Sequence, residues 1–168
     1  MKNDLITEFE SAFADLEAAL EKFEENKFNV IPFEGSWSAA QTADHLLKAN
    51  SGAAQTMLGS TKDTSREPDA NEETIRSFML DLNTKMISPE FILPSLEPIE
   101  KETMLENTRV AGNRLRNILL EENITKTCTD FALPGLGELT RYEWICFAVC
   151  HTKRHTHQIN NIFKILEK

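Results

Sequence analysis

Four histidines carry most of the chemistry open to this 168-residue chain: His45, His151, His155 and His157. Three of them share one stretch, Cys150-His151-Thr152-Lys153-Arg154-His155-Thr156-His157-Gln158. On an α-helix, at about 100° per residue, His151 and His155 stand about 40° apart on one face. That spacing lets two imidazoles converge on one metal ion. His157 falls about 120° from His151, so it cannot join the pair and reads as a partly exposed residue. His45 lies inside another helical segment, Gln41-Thr42-Ala43-Asp44-His45-Leu46. Three neutral imidazoles from two helices would leave a fourth coordination position open, the arrangement of a catalytic rather than a closed structural site. The apolar face of the His45 segment centres near Ala43, Leu46 and Leu47, with His45 at its edge. Periodicity alone therefore also accommodates His45 as a residue flanking solvent.

Other side chains have two readings each. Gln158 could orient a ligand imidazole or bond across the bundle. Arg154 could hold an anionic substrate group, as guanidinium suits carboxylates, or form a surface ion pair. Trp37 reads as structural at a helix entry. Trp144 falls on the His151 line and fills a seam beside it, where it could also line a pocket. Cys146 and Cys150 point about 100° or more from His151 and read as small buried hydrophobes, with a thiolate ligand or redox pair as the alternative. The glutamates of the first helix could supply a base, but nothing singles one out. There is no Ser-His-Asp arrangement, phosphate loop or HExxH motif.

The elements that must position these groups are helices. Leu5, Phe9, Leu16, Leu20 and Phe23 form a stripe that predicts a first helix from about Asp4 to Asn26. Ser38 and Gln41 have capping-box spacing and predict a second helix from Ser38 to a stop at Gly59. Ser60 to Ala70 is polar and reads as a mobile loop. A third helix is predicted from Asn71 to about Ile87, on the stripe Ile75, Phe78, Met79, Leu82 and Met86. Pro89, Pro94 and Pro98 make Ser88 to Ile99 a crossover. A fourth helix runs from about Glu100 to Leu120. Thr127 to Leu139 is irregular, with a turn at Pro134-Gly135-Leu136-Gly137. Thr140 and Glu143 form a second capping box, opening a last helix that runs past Ile162 to Leu166. Strand signals are scarce, so the class is all-α: an antiparallel bundle of four long helices with a short extra helix.

Lys and Arg total 18 against 27 Asp and Glu, a formal charge of −9. That balance disfavours nucleic acid and anionic membranes as partners, because both are gripped by clustered cations. Three cysteines, Cys128, Cys146 and Cys150, do not make a disulfide framework. No apolar run approaches the roughly 18 residues of a span. The start, Met1-Lys2-Asn3-Asp4, lacks the apolar core of a secretion signal. The expected compartment is the cytoplasm.

Two segments resemble a known family. Trp37-Ser38, then Gln41, then His45-Leu46 resembles the WSxxQ…HL segment of the DinB-like (YfiT/DinB) superfamily of metal-dependent enzymes. Leu139-Thr140-Arg141-Tyr142-Glu143-Trp144, then His151-Thr152-Lys153-Arg154-His155 and Gln158-Ile159, resembles that family's LTxxEW…HxxRHxxQI pattern. The two lie in the family's order, about a hundred residues apart, and the helix count fits over essentially the whole chain. The resemblance implies one domain over residues 1–168, a four-helix bundle of up-down-down-up topology with a long crossover. It implies a divalent metal, zinc or nickel, on His45, His151 and His155; Gln158, Trp144 and Arg154 stay candidates from their own positions. It further implies a homodimer and transfer or isomerisation chemistry with a low-molecular-weight thiol on a small electrophilic substrate; from metal chemistry alone, a hydroxide held by the same ion gives the hydrolase-like alternative. A non-catalytic bundle binding metal or a small ligand, with a stress-associated role, is the alternative.

Overall fold

The computed structural model describes residues 2–168 and contains six α-helices and one two-stranded ladder. Four helices are long: α1 (Lys2–Glu21), α3 (Ala39–Leu58), α5 (Lys101–Glu121) and α6 (Arg141–Leu166). Between them lie α2 (Glu25–Phe28), α4 (Glu72–Leu80) and a 3₁₀ turn at Glu90–Ile92. The strands β1 (Thr61–Lys62) and β2 (Thr127–Cys128) pair antiparallel, Thr61 opposite Cys128.

Contacts fix the helix directions. Lys22 at the end of α1 bonds Asn160 near the end of α6, so these two run parallel. Lys2 at the start of α1 donates to the Leu120 carbonyl at the end of α5, which makes that pair antiparallel. Ser60, just after α3, donates to Asp130, and Arg141 at the start of α6 donates to the Met57 carbonyl of α3. α3 therefore runs against α6. The order is up-down-down-up, the topology expected from the sequence. Because α3 and α5 run the same way, the chain must return the full bundle length between them. Residues 59–100 make that crossover, and α4 within it packs on α6.

Both predicted capping boxes are present. The Ser38 hydroxyl accepts from the Gln41 N–H while the Gln41 side chain accepts from the Ser38 N–H, both at 3.1 Å. Thr140 and Glu143 do the same for α6. At Gly112 in α5, a Cβ would lie 2.9 Å from the Phe13 ring, so the missing side chain lets α1 approach.

Two boundaries and one loop differ from the sequence expectation. The first helix stops at Glu21 rather than Asn26. The break at Glu24 lets Phe23 and Phe28 both enter the core, whereas a continuous helix would set them about 140° apart. α4 ends at Leu80 rather than Ile87, leaving Phe78 and Leu82 half exposed. Asp81 ends it, because its carboxylate accepts from the Asn83 N–H at 3.0 Å and the Thr84 hydroxyl at 2.5 Å, a local turn that competes with helix. The segment expected as a mobile loop, 60–70, is pinned by β1 and by Arg66, whose guanidinium grips the buried Glu143.

The core divides into two apolar clusters. One holds Trp144 to Cys150 with Leu5, Met57, Ile75 and Leu115; the other holds Ile159 and Ile162 with Leu20, Phe28, Leu46 and Met104. His151 and His155 lie between them along α6. No helix among the described residues is long and apolar enough to cross a membrane.

Candidate metal centre

His45, on the second turn of α3, and His151 and His155, near the middle of α6, meet between the two apolar clusters. Their ligand nitrogens all lie within 4.8 Å of one another, and all three residues are buried. The His151 Nε2 atom is 3.2 Å from Nε2 of His45 and 2.9 Å from Nε2 of His155. His45, placed by periodicity at the edge of its apolar face, is only 3% exposed. α6 covers that edge, something a single-helix pattern cannot register.

The other ring nitrogens determine the proton positions. His45 Nδ1 lies 2.8 Å from the Ile92 carbonyl, which only accepts, so Nδ1 carries the proton and donates. His155 Nδ1 lies 2.9 Å from Gln158 Oε1 and donates likewise. Both Nε2 atoms are then bare lone pairs aimed at the same point. His151 has one ring proton and can satisfy at most one of them, and its Nδ1 is buried without a partner. The metal-free triad therefore leaves buried acceptors facing one another, which is costly. A cation removes that conflict. Tetrahedral zinc, with Zn–N of about 2.0–2.1 Å, needs N···N edges of about 3.3–3.4 Å, close to the distances here. The residues fit a divalent ion, with each imidazole offering Nε2.

Electrostatics keep the imidazoles neutral. Burial pushes the His45 pKa below the ordinary histidine value, opposed by the hydrogen bond to Ile92 and the nearby Asp44 charge. Burial, followed by the neighbouring imidazoles, pushes His151 well down. His155 falls to about 4, again chiefly by burial. Neutral imidazole is the ligating form.

The crossover holds His45 in place at several points. Beside the Ile92 bond, Lys48 donates to the Leu93 carbonyl, the Ser95 N–H donates to Asp44, and Gln41 donates to the Ser95 carbonyl. A candidate ligand on α3 is thus oriented by a backbone atom of a segment 47 residues away, for which the sequence carries no signal. Aromatic rings flank the site. Trp37 lies with its ring centroid 5.0 Å from that of His45, and Phe147 5.5 Å from His151. Neither was singled out from sequence as touching a histidine, although Phe147 precedes His151 by one helical turn.

The remaining sequence candidates separate clearly. Gln158 bonds a ligand imidazole rather than reaching across the bundle. Trp144 is 4% exposed in the seam. Arg154 departs from both of its readings. Among the described residues it pairs with no carboxylate; it donates to the carbonyls of Met79, Asp81 and Thr84 at 3.2, 2.7 and 2.5 Å. It ties the end of α4 to α6. His157 is exposed. Cys146 and Cys150 are buried on another side of α6, where Arg76 lies 4.0 Å from the Cys150 sulfur.

A family model described as the DinB superfamily matches residues 8–159, most of the chain. The chain belongs to the DinB superfamily. Among its relatives is the uncharacterized protein YuaE of Bacillus subtilis (strain 168), 27% identical over 152 residues, covering 89% of this chain and 91% of YuaE. Two solved structures share the fold of this DinB-superfamily chain. TT2238, a four-helix bundle protein, superposes with a TM-score of 0.61 at 17% identity, over 96% of this chain and 99% of TT2238. YfiT from Bacillus subtilis, described as a probable metal-dependent hydrolase with an unusual four-helix bundle topology, gives a TM-score of 0.59 at 14% identity, over 99% of this chain and 87% of YfiT.

Proposed function

We propose that this protein is a metal-dependent enzyme, hydrolase-like in chemistry, that holds one divalent cation on Nε2 of His45, His151 and His155. The observation that carries the reading is the pair of buried, correctly tautomerised imidazoles whose lone pairs converge on a third. The likeness to YfiT supports the metal-dependent hydrolase class. When bound, a divalent cation supplies Lewis acidity and lowers the pKa of a water to about 7. The chain's own residues do the rest. Ile92 and Gln158 hold the rings of His45 and His155, Trp37 and Phe147 exclude water from two sides, and three ligands leave one position for substrate. Zinc or nickel suits the imidazole donor set.

The test is metal content by elemental analysis of the purified chain. One zinc or nickel per chain is expected, falling at least tenfold in His151→Ala or in His45→Ala. Unchanged content in both variants would refute the ligand set. A hydrolysis screen on small esters and amides follows, with and without low-molecular-weight thiols. Turnover that requires a thiol would assign transfer chemistry instead. A metal-loaded protein inert in every arm would favour a non-catalytic binding bundle.

A further inference from the structure

A line of aromatic rings leads away from the histidine triad. From His151 it passes to Phe147 at 5.5 Å, to Trp144 at a further 5.7 Å, to Phe131 at 6.1 Å and to Phe91 at 6.1 Å. Phe91 adjoins Ile92, whose carbonyl holds His45. The line thus begins at one candidate ligand and ends one residue from the backbone carbonyl that holds another. Phe91 is 68% exposed, Phe131 is half-buried and Trp144 is 4% exposed; Phe147, between Trp144 and His151, is half-buried. Trp144 Nε1 is buried and has no hydrogen-bond partner among the described residues. Buried tryptophan N–H groups ordinarily find an acceptor, because a donor taken out of water without one forfeits its hydration.

The geometry points to a substrate subsite on this wall of rings, built for an uncharged aromatic group that carries a hydrogen-bond acceptor received by Trp144 Nε1–H. The rings supply stacking and edge contacts. The orphan N–H selects an acceptor, such as a carbonyl oxygen. An uncharged group suits the wall, because the rings that form it are apolar and an ion placed against them would lose hydration without a countercharge. The inference deepens the enzyme reading and rests on it for where the substrate reacts.

The chain has two tryptophans, so its ¹⁵N spectrum has two indole N–H signals, which Trp37→Phe assigns. The zinc-loaded full chain is titrated with benzamide, with ethylbenzene (ring, no acceptor) and with benzoate (ring, anionic acceptor). Benzamide is expected to shift the Trp144 indole signal downfield. Trp144→Phe keeps a ring and removes the donor. It should weaken benzamide about fivefold, the worth of one net hydrogen bond, and leave ethylbenzene within twofold. Phe91→Leu, at an exposed position that folding tolerates, should weaken both neutral ligands. The subsite is overturned if benzamide leaves the Trp144 signal unmoved, if Trp144→Phe binds benzamide as wild type does, if Phe91→Leu changes neither ligand, or if benzoate binds more tightly than benzamide. Zinc content is measured on the same samples. Zinc bound at one per chain with no benzamide response refutes the subsite alone. The expected benzamide pattern on protein that retains no zinc supports the subsite and refutes the metal reading.

Discussion

Glu143 offers the sharpest energetic test, because its side chain is fully buried and every lone-pair direction of its carboxylate is filled. Oε1 accepts from Arg66 Nη1 at 2.6 Å and the Asn71 N–H at 2.8 Å; Oε2 accepts from Arg66 Nη2 at 2.6 Å and the Thr140 N–H at 2.9 Å. One residue thus caps α6, anchors the start of α4 and fixes the 60–70 segment. Arg66→Met keeps an aliphatic stem and removes the guanidinium, leaving a buried carboxylate with two backbone donors and no countercharge. Removing one partner of a buried ion pair costs about 3–5 kcal/mol. The Arg66 side chain is 34% exposed, so water can partly replace it and about 3 kcal/mol is expected. For a protein of this size that lowers Tm by about 6–12 °C. Urea unfolding should show a lower midpoint with unchanged slope. Adding Glu143→Gln to Arg66→Met removes the stranded charge and should recover at least about 1 kcal/mol. A loss below about 1 kcal/mol in the single variant, or a double variant no more stable than it, would refute the account.

Gln158→Leu frees the His155 ring and should weaken metal binding about 10- to 100-fold, read by competition with a chelator. Metal-free protein should lose stability as pH falls from about 6.5 through about 4. Over that window the unfolded chain takes up protons that buried His155 refuses, so stability falls with falling pH, and urea midpoints at pH 7.5, 5.5 and 4 would show it. A second loss should follow as pH falls from about 4.5 toward 2. There the Glu8 carboxylate, held down to about 2 by hydrogen bonds from Arg76 and Lys153 against the cost of burial, finally protonates. Arg154→Lys keeps the charge but loses the planar fork, and should speed amide exchange at residues 79–84 while leaving metal content unchanged. No thiol should react with a disulfide reagent in the native state, since all three cysteines are buried and burial raises the Cys128 thiol to about 11.

Short-range physics made much of this protein readable from its residues. Ser38 with Gln41 and Thr140 with Glu143 mark helix starts because a capping box is satisfied within four residues. The His151–His155 spacing is a property of the helix itself. Residue periodicity misplaced the ends of α1 and α4, because those ends are decided by Phe28 finding the core and by Asp81 turning the chain. Periodicity also had no means to decide between a buried and a solvent-flanking His45, to see Ile92 as its hydrogen-bond partner, or to find that Arg154 binds carbonyls. Each of those depends on a segment distant in sequence. Local spacing could nominate three imidazoles, because neighbours on one helix have fixed geometry. Only tertiary packing could decide which nitrogen His45 exposes, because its acceptor, the Ile92 carbonyl, is delivered by the fold, whereas the His155 acceptor Gln158 lies one turn along the same helix.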